Sequence, residues 1–308
     1  MKIFVAVATL FSLFINSLSG GLITTDKDNA VSASVHTDIS YGEAERNKMD
    51  IYLPPKTSSD HTFGALLFIH GGSWTSGDKS SEAYLCKRYS EKGYVTATIN
   101  YHYIDADHPV STNMDDIASA INKLQSFCSE NGYNVTSLAL HGFSSGAHIA
   151  TLFSYSCPER SVIPLAFVVN MAGPADFNSE TWHEWHYDQN TGPSLAIMLY
   201  GMKDLGENVK GPSDIPPHKL QEIIDAMSPA FHINENSIPT ICGYAGDGKD
   251  GIVPTKNKTI TFENLKKHNV KSDCFTFENS NHILIGDMDV REALYARVDE
   301  YCKEYFGY

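Results

Sequence analysis

Between residues 64 and 278 the chain repeats one alternation, in which short continuous apolar runs are separated by stretches with apolar residues at helical spacing. The runs are "GALLFIH" (Gly64–His70), "YVTATIN" (Tyr94–Asn100), "VTSLALH" (Val135–His141), "PLAFVVN" (Pro164–Asn170), "IPTICGY" (Ile238–Tyr244) and "SDCFTFE" (Ser272–Glu278). Runs this short, without polar alternation, predict strands buried on both faces. Between them, "SSEAYLCKRYSEKG" ends at Gly93, a C-terminal helix stop. "NMDDIASAINKLQSFCSENG" repeats Met114, Ile117, Ile121, Leu124 and Cys128, which places Asp115 and Asp116 in the first turn. "TITFENLKKHN" and "VREALYARVDEYCKEYF" follow the later runs, and "SVHTDISYG" and "NKMDIYLPP" read as two strands ahead of the series. Strand–helix alternation predicts an α/β fold, a mostly parallel sheet flanked by helices on both faces. With 308 residues, 42% of them hydrophobic, one domain over 20–308 can bury such a core.

One segment breaks the alternation. From about Phe177 to Met227 (177–227) the chain is rich in Trp, His, Pro and Gly, with short helical patterns such as "HKLQEIIDAM". A stretch this long between two strands predicts an inserted lid, its aromatics Trp182, Trp185, Tyr187 and Tyr200 packed as a cap. "HEWH" (His183–His186) lacks the HExxH spacing and a third ligand, so no metal is expected there. No other cofactor is expected either.

The N-terminus, "MKIFVAVATLFSLFINSLSGG", sets Lys2 before an apolar stretch from Ile3 to Ile15, with Ser17 and Ser19 at cleavage spacing. Residues 1–19 therefore read as a signal peptide, an uncleaved anchor being the alternative. The C-terminal "EYFGY" carries no retention signal, so secretion or the secretory lumen is expected, with no integral membrane span after cleavage. In that setting six cysteines (Cys86, Cys128, Cys157, Cys242, Cys274, Cys302) predict disulfides, without saying which pair. Asn134 and Asn257 begin Asn-X-Thr tripeptides, so glycosylation is expected. The net charge of −14 comes from scattered acidic residues and argues against nucleic acid or an anionic membrane surface as partner.

"LHGFSSGAHIATL" carries the chemistry. The run ending at His141 meets Gly142-Phe143-Ser144-Ser145-Gly146 just before helical periodicity returns. In G-x-S-x-G, a tight strand-to-helix turn lifts the central hydroxyl clear of the sheet edge, which makes Ser144 the candidate nucleophile. A serine needs a base and a group to orient it, here in the order Ser, Asp, His. After "IPTICGY" come Asp247 and Asp250, and after "CFTFE" comes His282, each just past a strand end, where open α/β sheets build their sites. Backbone amides for an oxyanion are expected from Ser145 and from "FIHGGSW", where Gly71 and Gly72 free the backbone to turn.

These motifs resemble the α/β-hydrolase superfamily, in particular esterases with an HGG-type oxyanion loop. That branch includes BD-FAE-like proteins, hormone-sensitive-lipase-like esterases and kynurenine formamidases. "DISYGEAERNKMDIYLPP" resembles the opening strands, "HGGSWTSGDKS" the oxyanion loop, "NMDDIASAINKL" the helix before the nucleophile turn, "GFSSGAHIA" that turn and "DGIVP" the acid segment. The resemblance implies Asp250 rather than Asp247 as the acid, and Gly72, Ser73 and Ser145 as the oxyanion donors. Ser73 stands where many members carry a third glycine; Ser145 and Ala147 stand where Ala and Gly are frequent. The expected activity is hydrolysis of a small carboxylic ester through Ser144, His282 and Asp250. An amidase of the kynurenine-formamidase type shares every one of these residues, although those enzymes usually work inside the cell. A non-catalytic hydrolase-fold binding protein is the third reading, and it commonly lacks one of the three side chains, all present here.

Overall fold

The computed structural model describes residues 33–56, 62–184, 187–206 and 208–307. The predicted signal segment, residues 1–19, lies outside them, as do Trp185 and His186. The strands are β1 (Ser34–Ser40), β2 (Lys48–Leu53), β3 (Thr62–Ile69), β4 (Val95–Asn100), β5 (Asn134–Phe143), β6 (Leu165–Met171), β7 (Thr240–Ala245) and β8 (Ser272–Phe277). Among the described residues they form one sheet in the order β1-β2-β4-β3-β5-β6-β7-β8. β2 pairs antiparallel with β1 and β4, and every pairing from β4 across to β8 is parallel. Helices α1 (Ala83–Glu91), α2 (Val110–Glu130) and α3 (Ser145–Ser156) follow β3, β4 and β5 in turn. Between β6 and β7 lie α4 (Ser179–Trp182), α5 (Thr191–Tyr200), α6 (Pro217–Met227) and α7 (Pro229–His232); α8 (Lys256–Lys267) follows β7 and α9 (Met288–Phe306) follows β8.

The apolar runs fill both sides of the sheet because alternate residues of each strand point to opposite faces. From β3, Ala65, Leu67 and Ile69 pack with Ile117, Ile121 and Leu124 of α2, with Ile149 and Phe153 of α3, and with the inserted helices. Leu66 and Phe68 point the other way, toward Leu85 and Tyr89 of α1 and Leu294, Val298 and Tyr301 of α9. The sheet is thus doubly covered, as the alternation predicts. Among the described residues no helix is long and apolar enough to cross a membrane.

Three expectations change. Helix α2 starts at Val110, directly after Pro109, whose fixed φ of −69° suits a helix entrance. Asp115 and Asp116 consequently lie beyond the first turn, and Asp116 is buried instead, accepting from the His102 N–H (2.7 Å) and from Asn47 Nδ2 (2.9 Å). The six cysteines are free thiols rather than disulfides. Cys128 packs in one core layer and Cys86 and Cys302 in the other, while Cys242 and Cys274 oppose each other on β7 and β8 with their Sγ atoms 3.0 Å apart. Of the two glycosylation tripeptides, Asn134 is exposed at the start of β5, whereas Asn257 is fully buried. The Asn257 Oδ1 accepts the N–H groups of Ala175 (2.8 Å) and Asp176 (3.1 Å), and Nδ2, the atom a sugar would join, is buried and donates to the Pro254 carbonyl (3.1 Å).

The packing of α9 on β3 generates a test. A Cβ placed on Gly64 would lie 2.0 Å from Cγ of Phe306. Gly64→Val is expected to overpack this contact and destabilise the fold by about 1–3 kcal/mol, read as a melting temperature lower by several degrees. An unchanged melting temperature would show that α9 is not seated there.

Candidate active site

Ser144 stands between β5 and α3 with φ 53° and ψ −123°, a conformation that L residues hold only where their surroundings impose it. Its N–H donates to the Met171 carbonyl at the end of β6 (2.8 Å), and its own carbonyl accepts from the His148 N–H (3.0 Å). The flanking glycine is required by close approach: a Cβ on Gly146 would lie 2.1 Å from the carbonyl oxygen of Ile69. The end of β3 thereby lies against the nucleophile turn.

The structure brings Ser144, His282 and Asp250 into one hydrogen-bonded chain. Ser144 Oγ lies 2.8 Å from His282 Nε2, and His282 Nδ1 lies 2.8 Å from Asp250 Oδ1. The three residues are buried at the sheet's C-terminal edge. Asp250 Oδ1 also accepts the N–H groups of Ile252 (3.0 Å) and Val253 (2.7 Å), and the Asp250 carbonyl accepts the His282 N–H (3.2 Å). Asp247 points away, its side chain 79% exposed and paired with Lys258.

Past β3 the loop expected to supply oxyanion donors turns sharply. Gly72, Ser73 and Trp74 take φ values of 132°, 51° and 61°, a left-handed series. Gly72 O accepts from the Thr75 N–H (3.1 Å), the Ser76 N–H (3.0 Å) and Ser76 Oγ (2.8 Å), which pins the turn. Among the described residues, none accepts from the N–H groups of Gly72, Ser73 or Ser145. Gly71 is the residue that crosses the nucleophile turn, where a Cβ would lie 3.2 Å from that of Ser144.

The family model described as BD-FAE matches residues 49–265, from β2 through most of α8. The chain belongs to the BD-FAE family. This BD-FAE chain is 26% identical over 281 residues to a probable isoprenylcysteine alpha-carbonyl methylesterase from Arabidopsis thaliana, covering 87% of this chain and 61% of that protein. It is 34% identical over 248 residues to the probable carboxylic ester hydrolase LipM of Mycobacterium tuberculosis, covering 75% of this chain and 51% of LipM. A kynurenine formamidase from Danio rerio matches at 30% over 131 residues, 42% of this chain and 41% of that one. The chain thus spans only about half of these relatives' length. Among solved structures, esterase B from Lactobacillus rhamnosis superposes with a TM-score of 0.71 at 15% identity, covering 98% of this chain and 95% of that one. Est2 from Thermogutta terrifontis gives 0.64 at 20% identity, over 89% and 92% of the two chains. Both likenesses establish the fold.

Several residues around the BD-FAE site carry no local sequence signal. Arg46, in the turn after β1, donates from Nε to the Tyr101 carbonyl (2.8 Å) and from Nη2 to the Gly77 carbonyl (3.1 Å), bracing the base of the oxyanion loop. Glu184 accepts the Thr255 N–H (2.8 Å) and Tyr187 donates to the Ile252 carbonyl (3.0 Å), so the insertion grips the loop that carries Asp250. His70 stacks on Tyr101 with centroids 4.4 Å apart and donates from Nδ1 to the Gly71 carbonyl (2.7 Å). His148 lies between Trp74 and Met227.

Burial holds His70 down to about 4, His148 to about 4 and His141 to about 3, so all three imidazoles are neutral in the folded chain near neutrality. Burial raises the carboxyl of Glu82 to about 7. Below the ordinary imidazole value near 6.5 the unfolded chain takes up three protons at these histidines that the folded chain refuses. Glu82, protonated in the folded chain and ionised in the unfolded one above about 4.5, offsets one of them. Stability is therefore expected to fall as pH drops from 6.5 to 5, on the order of 1–3 kcal/mol per pH unit. Urea unfolding across that interval checks this, and a flat or rising stability contradicts it.

Proposed function

We propose that this protein is a secreted serine hydrolase acting on small carboxylic esters. The observation that carries the reading is the unbroken chain from Ser144 Oγ through both ring nitrogens of His282 to Asp250 Oδ1, with both links at 2.8 Å. His282 Nε2 takes the hydroxyl proton as Ser144 Oγ attacks the ester carbonyl carbon. Asp250, oriented by the Ile252 and Val253 amides, keeps the Nδ1 proton in place and stabilises the imidazolium. The amides of Gly72, Ser73 and Ser145 receive the developing oxyanion, aided by the N-terminus of α3. The imidazolium then protonates the leaving alkoxide, the alcohol departs, and water activated by His282 releases the acid and restores Ser144. No step uses a metal or organic cofactor.

Esterases among the relatives and the structural neighbours support ester bonds as the target. Secretion rests on the pattern of residues 1–19, and the N-terminal sequence of protein collected from medium would begin near residue 20 if it holds. Amide hydrolysis is the second reading, favoured by HGG-x-Trp and by the match to a kynurenine formamidase. Relative rates on N-formylkynurenine and p-nitrophenyl esters separate the two.

With short-chain p-nitrophenyl esters, Ser144→Ala is expected to lower kcat by at least about 10³-fold and to abolish fluorophosphonate labelling. Asp250→Asn is expected to lower kcat about 10³–10⁴-fold, because His282 loses its oriented tautomer. Asp247→Asn, which breaks only an exposed ion pair, stays within about twofold. Turnover persisting in Ser144→Ala, or equal effects at both aspartates, would refute the assignment.

A further inference from the structure

We infer that His148 is a positioning residue that transmits the seating of the inserted helices to the oxyanion loop, an inference that rests on the ester-hydrolase reading above. The imidazole is fully buried on α3, one turn past Ser144. Its Nδ1 lies 3.1 Å from Trp74 Nε1 and its Nε2 lies 2.9 Å from the Met227 carbonyl. An indole nitrogen only donates and a carbonyl only accepts, so a single neutral tautomer fits: Nδ1 accepts from Trp74 and Nε2–H donates to Met227.

Each partner belongs to a different part of the site. Met227 is the last residue of α6, whose carbonyl has no acceptor role left within its own helix and is satisfied by this imidazole. The turn after it is tied to the start of the insertion, since Phe177 N–H donates to Ser228 Oγ (3.0 Å) and Ser228 Oγ donates to the Ile224 carbonyl (2.6 Å). Phe177 in turn meets the His148 ring edge-on, with centroids 5.3 Å apart, and stacks on Trp182 at 5.8 Å. Both ends of the insertion thus close on the same ring.

On the opposite side stands Trp74, third of the left-handed series that begins at Gly72. Its carbonyl accepts the Ile104 N–H (2.9 Å), and its indole is held by His148 both through the hydrogen bond and edge-on, with centroids 5.4 Å apart at 87°. A non-glycine residue keeps a left-handed φ only when its neighbours fix it. Releasing the indole frees Trp74 to relax, and with it the Gly72 and Ser73 amides immediately upstream. Displacing a reacting geometry by about 1 Å costs about 10²-fold in rate.

The test uses three variants of the mature protein. Trp74→Phe removes the donor, His148→Leu removes the acceptor, and His148→Gln can reproduce both hydrogen bonds with its amide oxygen and amide nitrogen. With active sites titrated by fluorophosphonate, Trp74→Phe and His148→Leu are expected to lower kcat about 10- to 100-fold with KM within about threefold, while His148→Gln stays within a few fold of the parent. Hydrogen exchange of the segment 71–77 should be faster in Trp74→Phe and His148→Leu, with β5 unchanged. Unaltered kcat in Trp74→Phe, glutamine as damaging as leucine, or unaltered exchange at 71–77 would each overturn the inference. If His148→Leu does not fold, Trp74→Phe and His148→Gln decide alone. A parent enzyme that hydrolyses esters through Ser144 while the variants behave like it defeats only this inference. A parent with no Ser144-dependent turnover defeats the functional reading, and the exchange measurement still tests the linkage.

Discussion

The site depends on one contact between two parallel strands. β3 and β5 are neighbours in register, with Ile69 opposite Gly142, so both chains leave the sheet at the same edge and level. Parallel pairing from β4 across to β8 puts the C-termini of those six strands on one rim, where sites of open α/β sheets form. The turn after β5 can close against the end of β3 only because position 146 has no side chain, its Cα sitting over the Ile69 and His70 carbonyls. That approach brings Ser144 against Gly71, at the head of the loop that leaves β3. The loops after β7 and β8 then need only reach inward along the same rim to bring Asp250 and His282 into line.

Backbone strain gathers along this rim. Of the non-glycine residues with positive φ, Ser73 and Trp74 follow β3, Ser144 follows β5, Ala172 follows β6, and Leu284 lies two residues beyond His282. Conformations of this kind persist where the surroundings over-determine them. Here the restraints are visible: the Met171 carbonyl on Ser144 N–H, the Gly243 carbonyl on Ala172 N–H, and Arg46 and His148 on either side of the oxyanion loop. A rim assembled this way is fixed before any ligand arrives, which is the condition the proposed oxyanion stabilisation requires.

What the sequence made legible was local. The apolar runs predicted the parallel core to within a few residues, because a strand buried on both faces needs little besides its own composition. Ser144 was legible because turn, strand and helix adjoin it in the chain. Asp250 and Asp247 were not separable from residue type and placement, since both lie past the same strand; packing separates them, one side chain 6% exposed and the other 79%. The free thiols, the buried Asp116 and the roles of Arg46 and His148 were not legible at all. Each depends on which distant side chain or carbonyl lies opposite, as with His148 and Met227, and periodicity does not encode that distance.

Asn257 shows how a sequence signal and a fold can compete for one side chain. Its amide oxygen fastens the backbone at Ala175 and Asp176, where the chain departs β6 for the insertion. A carbohydrate attached there during synthesis would hang on Nδ2, which in the fold is fully buried and donates to the Pro254 carbonyl (3.1 Å), so the side chain could not seat. Sugar attachment at this position and completion of the fold are therefore mutually exclusive, and whichever happens first forecloses the other.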